Sequence, residues 1–146
     1  MRHLLSTALG IAILAAPVMA QSKFRSIIGD AANIEKDATA LSLDMKAKNF
    51  DITKAKADAE SLGKDIAKLR KDVEEIDAGM SNLTGQQKAD WDLVKTKVQL
   101  LTIFHDRKSE LMNGDLSKNK GLIRAHADGI AKRARLLQQT ANRLDR

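Results

Sequence analysis

Three side chains in this sequence have the type and spacing to gather chemistry. His105 continues an apolar stripe through Val98 and Leu101, while His126 lies beside Ala127 and Glu60 beside Ala59. In an antiparallel hairpin turning near Gly114, His105 and His126 would come within about one helical turn of the same level, with Glu60 at a similar height. Two imidazoles and a carboxylate form a ligand set for a divalent metal, and two imidazoles can clamp a haem iron. The competing reading is a pair of amphipathic imidazoles at the edge of a core, because helix rotation alone would separate them. That second reading is the expectation carried forward, with no cofactor.

Other chemistries lack their parts. The chain has no Cys, which removes disulfides, thiolate metal sites, cysteine nucleophiles and covalent haem attachment. It has no Gly-rich phosphate loop, no H-E-x-x-H and no E-x-x-H pair of the di-iron type. Ser, His and Asp occur, but no spacing places them together. With no Tyr, one Trp and three Phe, stacked recognition of bases or sugars is short of side chains. No enzymatic activity is expected.

The helices that would position these residues are legible as four stripes. Phe24, Ile27, Ala31, Ile34, Ala38, Leu41 and Met45 alternate gaps of three and four. The pattern restarts with Ile52, Ala55, Ala59, Leu62, Ile66, Leu69, Val73, Ile76 and Met80. A third stripe holds Trp91, Val94, Val98 and Leu101, widened by Leu93, Leu100, Phe104, Leu111 and Met112. The fourth runs through Leu116, Ile123, Ala127, Ile130, Ala134, Leu137, Ala141 and Leu144. Sustained 3-4 spacing predicts helices packed at a shallow angle, not strands.

The predicted helices span about 22–48, 52–80, 85–112 and 116–144. Asp51 and Asp115 can cap the second and fourth, Thr84 with Gln87 has the form of a capping box, and Gly114 can supply a left-handed helix end. Joints this short predict an all-α, up-down-up-down four-helix bundle over 21–146 with coiled-coil-like heptad packing. The alternative architecture is a pair of hairpins completing its core in a homodimer. A repeat at an offset of 64, Asp51-Ile52-Thr53-Lys54 against Asp115-Leu116-Ser117-Lys118, hints at a duplicated hairpin. Trp91 reads as a core plug near the joint between Gly79 and Gly85.

The first twenty residues read as an export signal. Met1-Arg2-His3 is a cationic start, Leu4 to Ala16 a mainly apolar run, and Val18-Met19-Ala20 a cleavage site before Gln21. About 20 apolar residues are needed to span a bilayer, more than this run supplies. No Cys follows the cut to carry a lipid. A bacterial periplasmic location is expected, with secretion as the alternative, no membrane span after cleavage, and no nucleic-acid partner despite the net charge of +6.

Charge is distributed unevenly: residues 115–146 hold eight basic and three acidic side chains. Arg124, Lys132, Arg135 and Arg146 are expected near one outward strip of the last helix, with Asp128 among them. Such a strip would attract an acidic protein or an anionic envelope component. Alternatively it is a solvated face whose Arg residues complement the helix dipole.

Leu83-Thr84-Gly85-Gln86-Gln87-Lys88 resembles the L-T-x-x-Q motif of small periplasmic stress chaperones and sensor regulators. That resemblance covers about six residues and implies an exported helical protein holding unfolded clients on a concave surface. The family carries the motif twice and is often rich in Met and His, and this chain departs from it on both counts. The expectation is a non-enzymatic binding bundle of chaperone, adaptor or sensor type; the alternative is a metal- or haem-binding bundle using His105 and His126.

Overall fold

In the computed structural model, residues 15–80 and 82–146 are described, with side chains from Lys23 onward. Residues 1–14 of the expected signal lie outside them. The described residues form four helices and no strand: α1 (Ala15–Lys46), α2 (Ile52–Gly79), α3 (Gly85–Met112) and α4 (Leu116–Leu144). The point expected for cleavage, between Ala20 and Gln21, falls within α1.

Every residue of the first and fourth stripes is buried, as are Ala55 to Ile76 of the second and the four defining residues of the third. Together they make one continuous core. Burial of these faces is what closes a bundle of amphipathic helices, since isolated helices gain little from propensity alone. Two stripe ends differ: Ile52 is about half exposed and Met80 is only partly covered. Both stand at the ends of α2, Ile52 as its first residue and Met80 as its C-cap.

The caps follow the sequence at two ends and depart from it at two others. Asp51 Oδ1 accepts from the N–H groups of Thr53 at 2.8 Å and Lys54 at 3.1 Å. Asp115 Oδ1 accepts in the same way from Ser117 at 3.0 Å and Lys118 at 3.2 Å, so the two copies of the sequence repeat share one local geometry. Thr84, by contrast, makes no side-chain cap hydrogen bond. The chain enters α3 instead through Gly85, whose φ of +54° lies in the left-handed region. Gly114 does not adopt that region: α3 ends through Asn113 in right-handed helical geometry, and the Gly114 N–H donates to Leu111 O at 3.3 Å. What Gly114 supplies is space, because a Cβ there would stand 3.0 Å from Asn119 Nδ2, which donates to Leu111 O.

Among the described residues, backbone conformation demands glycine only at Gly85. Gly85→Ala should lower stability by about 1 kcal/mol, the cost of an L side chain in the left-handed region. Urea unfolding of the two proteins checks this, and equal midpoints would mean the turn rearranges freely.

α1 packs against both α2 and α4, and α4 also packs along α3. Polar ties reinforce the first two seams. Lys68 Nζ reaches Asp30 at 2.6 Å and Asp72 at 2.9 Å, and Ser26 Oγ donates to Asp72 at 2.9 Å. Burial pushes the Asp30 carboxyl above its ordinary pKa even with Lys68 beside it. Between α1 and α4, Ser42 Oγ donates to Asp128, and Glu35 accepts from Arg135 and Gln138.

The fourth seam, between α2 and α3, is different. It is bridged at isolated points: the Trp91 indole donates to Asp77 Oδ1 at 2.7 Å, and Lys95 lies 3.1 Å from the same carboxylate. These donors hold the Asp77 pKa below the usual carboxylate range, Trp91 first. Trp91 is buried, with Phe24 of α1 5.9 Å away between ring centroids, and plugs that end of the core.

Candidate functional site

The His105, His126 and Glu60 side chains do not converge. Among the described residues no three His, Cys, Asp or Glu side chains group as a metal site. His105 turns toward α2, where its ring lies over Gly63; a Cβ added at Gly63 would meet Cε1 at 3.2 Å. His126 instead stands edge-on to Phe104, 5.5 Å between centroids. Phe104 and His105 are successive residues of one helix, so their side chains diverge by about 100°. The ring met by His126 and the imidazole over Gly63 therefore serve different seams. Glu60 is exposed and pairs with Lys64 at 2.7 Å, which holds its pKa below the ordinary value. Burial first, then the charge of Lys108, pushes the His105 pKa down. Among the described residues, neither His105 Nδ1 nor His126 Nδ1 has a hydrogen-bond partner.

The four basic residues expected on one strip of α4 are all exposed and differ in their partners. Arg135 leans onto α1, its Nη2 2.6 Å from Glu35 Oε1, and lowers the Glu35 pKa. Arg124 lies 3.9 Å from Asp128 on its own helix. Lys132 and Arg146 are exposed and have no acidic partner among the described residues.

A more coherent surface lies along the α3–α4 seam. On α3, positions 93, 97, 100, 104 and 111 recur at helical spacing; on α4, positions 122, 126, 129, 133 and 136 do the same. Three contacts at mid-seam show that these two faces meet. Phe104 lies on Gly129, His126 meets its edge, and the Arg133 guanidinium covers it at 3.6 Å from the ring centroid. Beyond this clasp, apolar side chains are left open to solvent: Leu100 is 42% exposed, Leu122 57% and Leu136 39%. Leu100 and Leu136 share a hollow of about 220 Å³ with Lys97, Lys132 and Arg133. Its charged members are all cationic.

A second feature lies in the open α2–α3 seam. One cleft of about 660 Å³ runs past Arg70, Glu74, Asp77, Lys95 and Asp106, where the charges are mixed. The other, about 620 Å³, sits where α2 begins and α3 ends, and Lys108 lines it. Lys108 is only 2% exposed, and its Nζ donates to one acceptor, the Ala59 carbonyl, at 3.2 Å. With no carboxylate beside it, burial pushes its pKa down to about 8. The residue was visible in the pattern, because 101, 105 and 108 continue the third stripe; a lysine there is simply unusual.

Comparison of the chain with known protein families, with characterised proteins and with solved structures finds no match.

Proposed function

We propose that the mature chain is a non-enzymatic binding module of the bacterial envelope, and that it works through the α3–α4 face. The carrying observation is the pairing of exposed Leu100 and Leu136 in one hollow whose charged rim, Lys97, Lys132 and Arg133, is entirely basic. A shallow trough between two antiparallel helices suits a third helix, which would lay apolar residues at i, i+3, i+4 and i+7 into it. The all-basic rim favours acidic residues at the edges of that helix. The partner is therefore an acidic amphipathic helix of another protein.

Residues 1–20 support export to the periplasm, and the stripes support coiled-coil-like packing of the mature bundle. No helix among the described residues is long and apolar enough to cross a membrane. The L-T-x-x-Q resemblance supports a chaperone, adaptor or sensor role over catalysis.

A designed acidic peptide tests this: an amphipathic helix with Leu along one face and Glu on its flanks, titrated into the mature protein by calorimetry. A peptide with the same Leu face and Lys flanks is the control. Saturable binding of the acidic peptide alone, weakened about tenfold by Leu100→Glu with Leu136→Glu, is expected from losing two apolar anchors. Equal binding of both peptides, or no effect of the double substitution, would reject the α3–α4 face. Saturable binding to phosphatidylglycerol vesicles in place of the peptide would reassign it to a lipid surface.

A further inference from the structure

The cleft between the start of α2 and the end of α3 has a feature the bundle does not need. A buried ammonium normally has a carboxylate partner, because one neutral acceptor cannot offset the loss of water around a charge. Lys108 has only the Ala59 carbonyl, at 3.2 Å, leaving further amine donor capacity beside a cleft of about 620 Å³. The acidic groups facing this cleft are already committed. Glu60 is 2.7 Å from Lys64, and Asp115 caps α4 through the Ser117 and Lys118 N–H groups. The remaining charged group in the lining, Lys56, has no acidic partner among the described residues. His105 neighbours Lys108 on the same stripe and adds no negative charge. The cleft thus has two cationic side chains, neither of them paired with its two acids. Ser109, Ser117 and Asn113 supply hydroxyls and an amide, and Ile52, Ala59 and Met112 an apolar floor.

We propose that this cleft binds the oxyanion of a small carboxylate or phosphate, with the Lys108 ammonium as its buried counter-charge and Lys56 as the outer contact. The anion would supply the partner that the fold withholds. Charge-assisted hydrogen bonds of this kind are shorter and about twice as strong as neutral ones. An amine ionising at about pH 8 is mostly protonated at pH 7, so the free site is cationic when the anion arrives. The site lies on the α2–α3 seam and is independent of the α3–α4 face.

The test is a titration of the ¹⁵N-labelled mature protein at pH 7 with inorganic phosphate, and separately with butyrate, at ionic strength held constant by chloride. Saturable shifts of the Ala59, Ser109 and Asn113 amides are expected. Binding should weaken about tenfold or more in Lys108→Met, the loss of one charge-assisted contact, and less in Lys56→Gln. Which probe saturates separates a phosphate source from a carboxylate one. A second readout needs no variant: by linkage, the bound anion must raise the ionisation pH of the Lys108 amine, followed through its side-chain ¹⁵N signal. Shifts that match chloride alone, an unchanged affinity in folded Lys108→Met, or an amine whose ionisation does not move would each overturn the proposal.

Discussion

Lys108→Met should make the protein more stable at neutral pH, by about 2 kcal/mol. The substitution keeps the length of an unbranched side chain and removes a charge that the folded state holds almost out of water. The amine ionises at 10.5 in a free lysine side chain and at about 8 in the fold. At about 1.4 kcal/mol for each tenfold change in proton affinity, that difference corresponds to about 3 kcal/mol of stability lost when the buried group is charged. Losing the hydrogen bond to Ala59 O offsets about 1 kcal/mol. The sign follows from linkage. Between pH 8 and 10.5 the unfolded chain holds the proton that the folded chain has released, so wild-type stability rises with pH across that window. Below pH 8 both states are charged and the full penalty stands. Lys108→Met should therefore lead by its full margin at pH 7 and lose that lead progressively up to pH 10.5. Ion pairs raise the ionisation of Lys54, Lys68 and Lys95, but these contribute alike to both proteins and cancel in the difference. Urea unfolding at pH 7, 9 and 10.5 reads this directly. A lead that does not change with pH, or a variant less stable at pH 7, would show that water reaches the amine.

This lysine marks the limit of what the pattern discloses. Apolar spacing placed Phe24, Ile34, Leu69 and Ile130 inside because their burial and their periodicity have the same cause, removal of one helix face from water. Lys108 obeys the same spacing, yet its polarity argues for solvent, and only the packed neighbour decides. Height along a hairpin was similarly readable where rotation was not. His105, His126 and Glu60 could be set at a common level by counting residues, but each residue turns the helix by about 100°. That rotation sent one imidazole onto Gly63, the other onto Phe104, and Glu60 to Lys64. The spacing of the basic strip was readable, whereas the pairing of Arg135 with Glu35 across the seam on α1 was not. Conversely, Leu93, Leu100 and Phe104 were visible as a broadening of the third stripe. What they broadened toward was hidden, since Gly129 reads in isolation only as a weak helix former.

Gly129 is where that hidden complement carries the most weight. Replacing it by alanine puts a Cβ 2.6 Å from Phe104 Cε1 and 2.7 Å from Cδ1, closer than carbon atoms can stand. The ring has little room to yield, because Arg133 lies across it at 3.6 Å and His126 meets it 5.5 Å away. Arg133 is itself anchored, its Nη1 donating to Gly129 O at 3.1 Å. Intrinsic propensity argues the other way, since alanine is favoured over glycine in a helix by about 1 kcal/mol. Forcing a methyl into a packed seam costs about 1–3 kcal/mol, and the rigidity of the ring puts this site at the upper end. Gly129→Ala should therefore destabilise the protein by about 2 kcal/mol, measured by urea unfolding. The decisive comparison is the double variant with Phe104→Leu, whose shorter side chain frees the space. In that background the Gly129→Ala substitution should no longer be costly and should show its helix-propensity advantage, giving a strong coupling between two residues in contact. If Gly129→Ala alone proves stabilising, then Phe104 is not seated between α3 and α4, and the clasp that opens Leu100 and Leu136 to a partner does not exist.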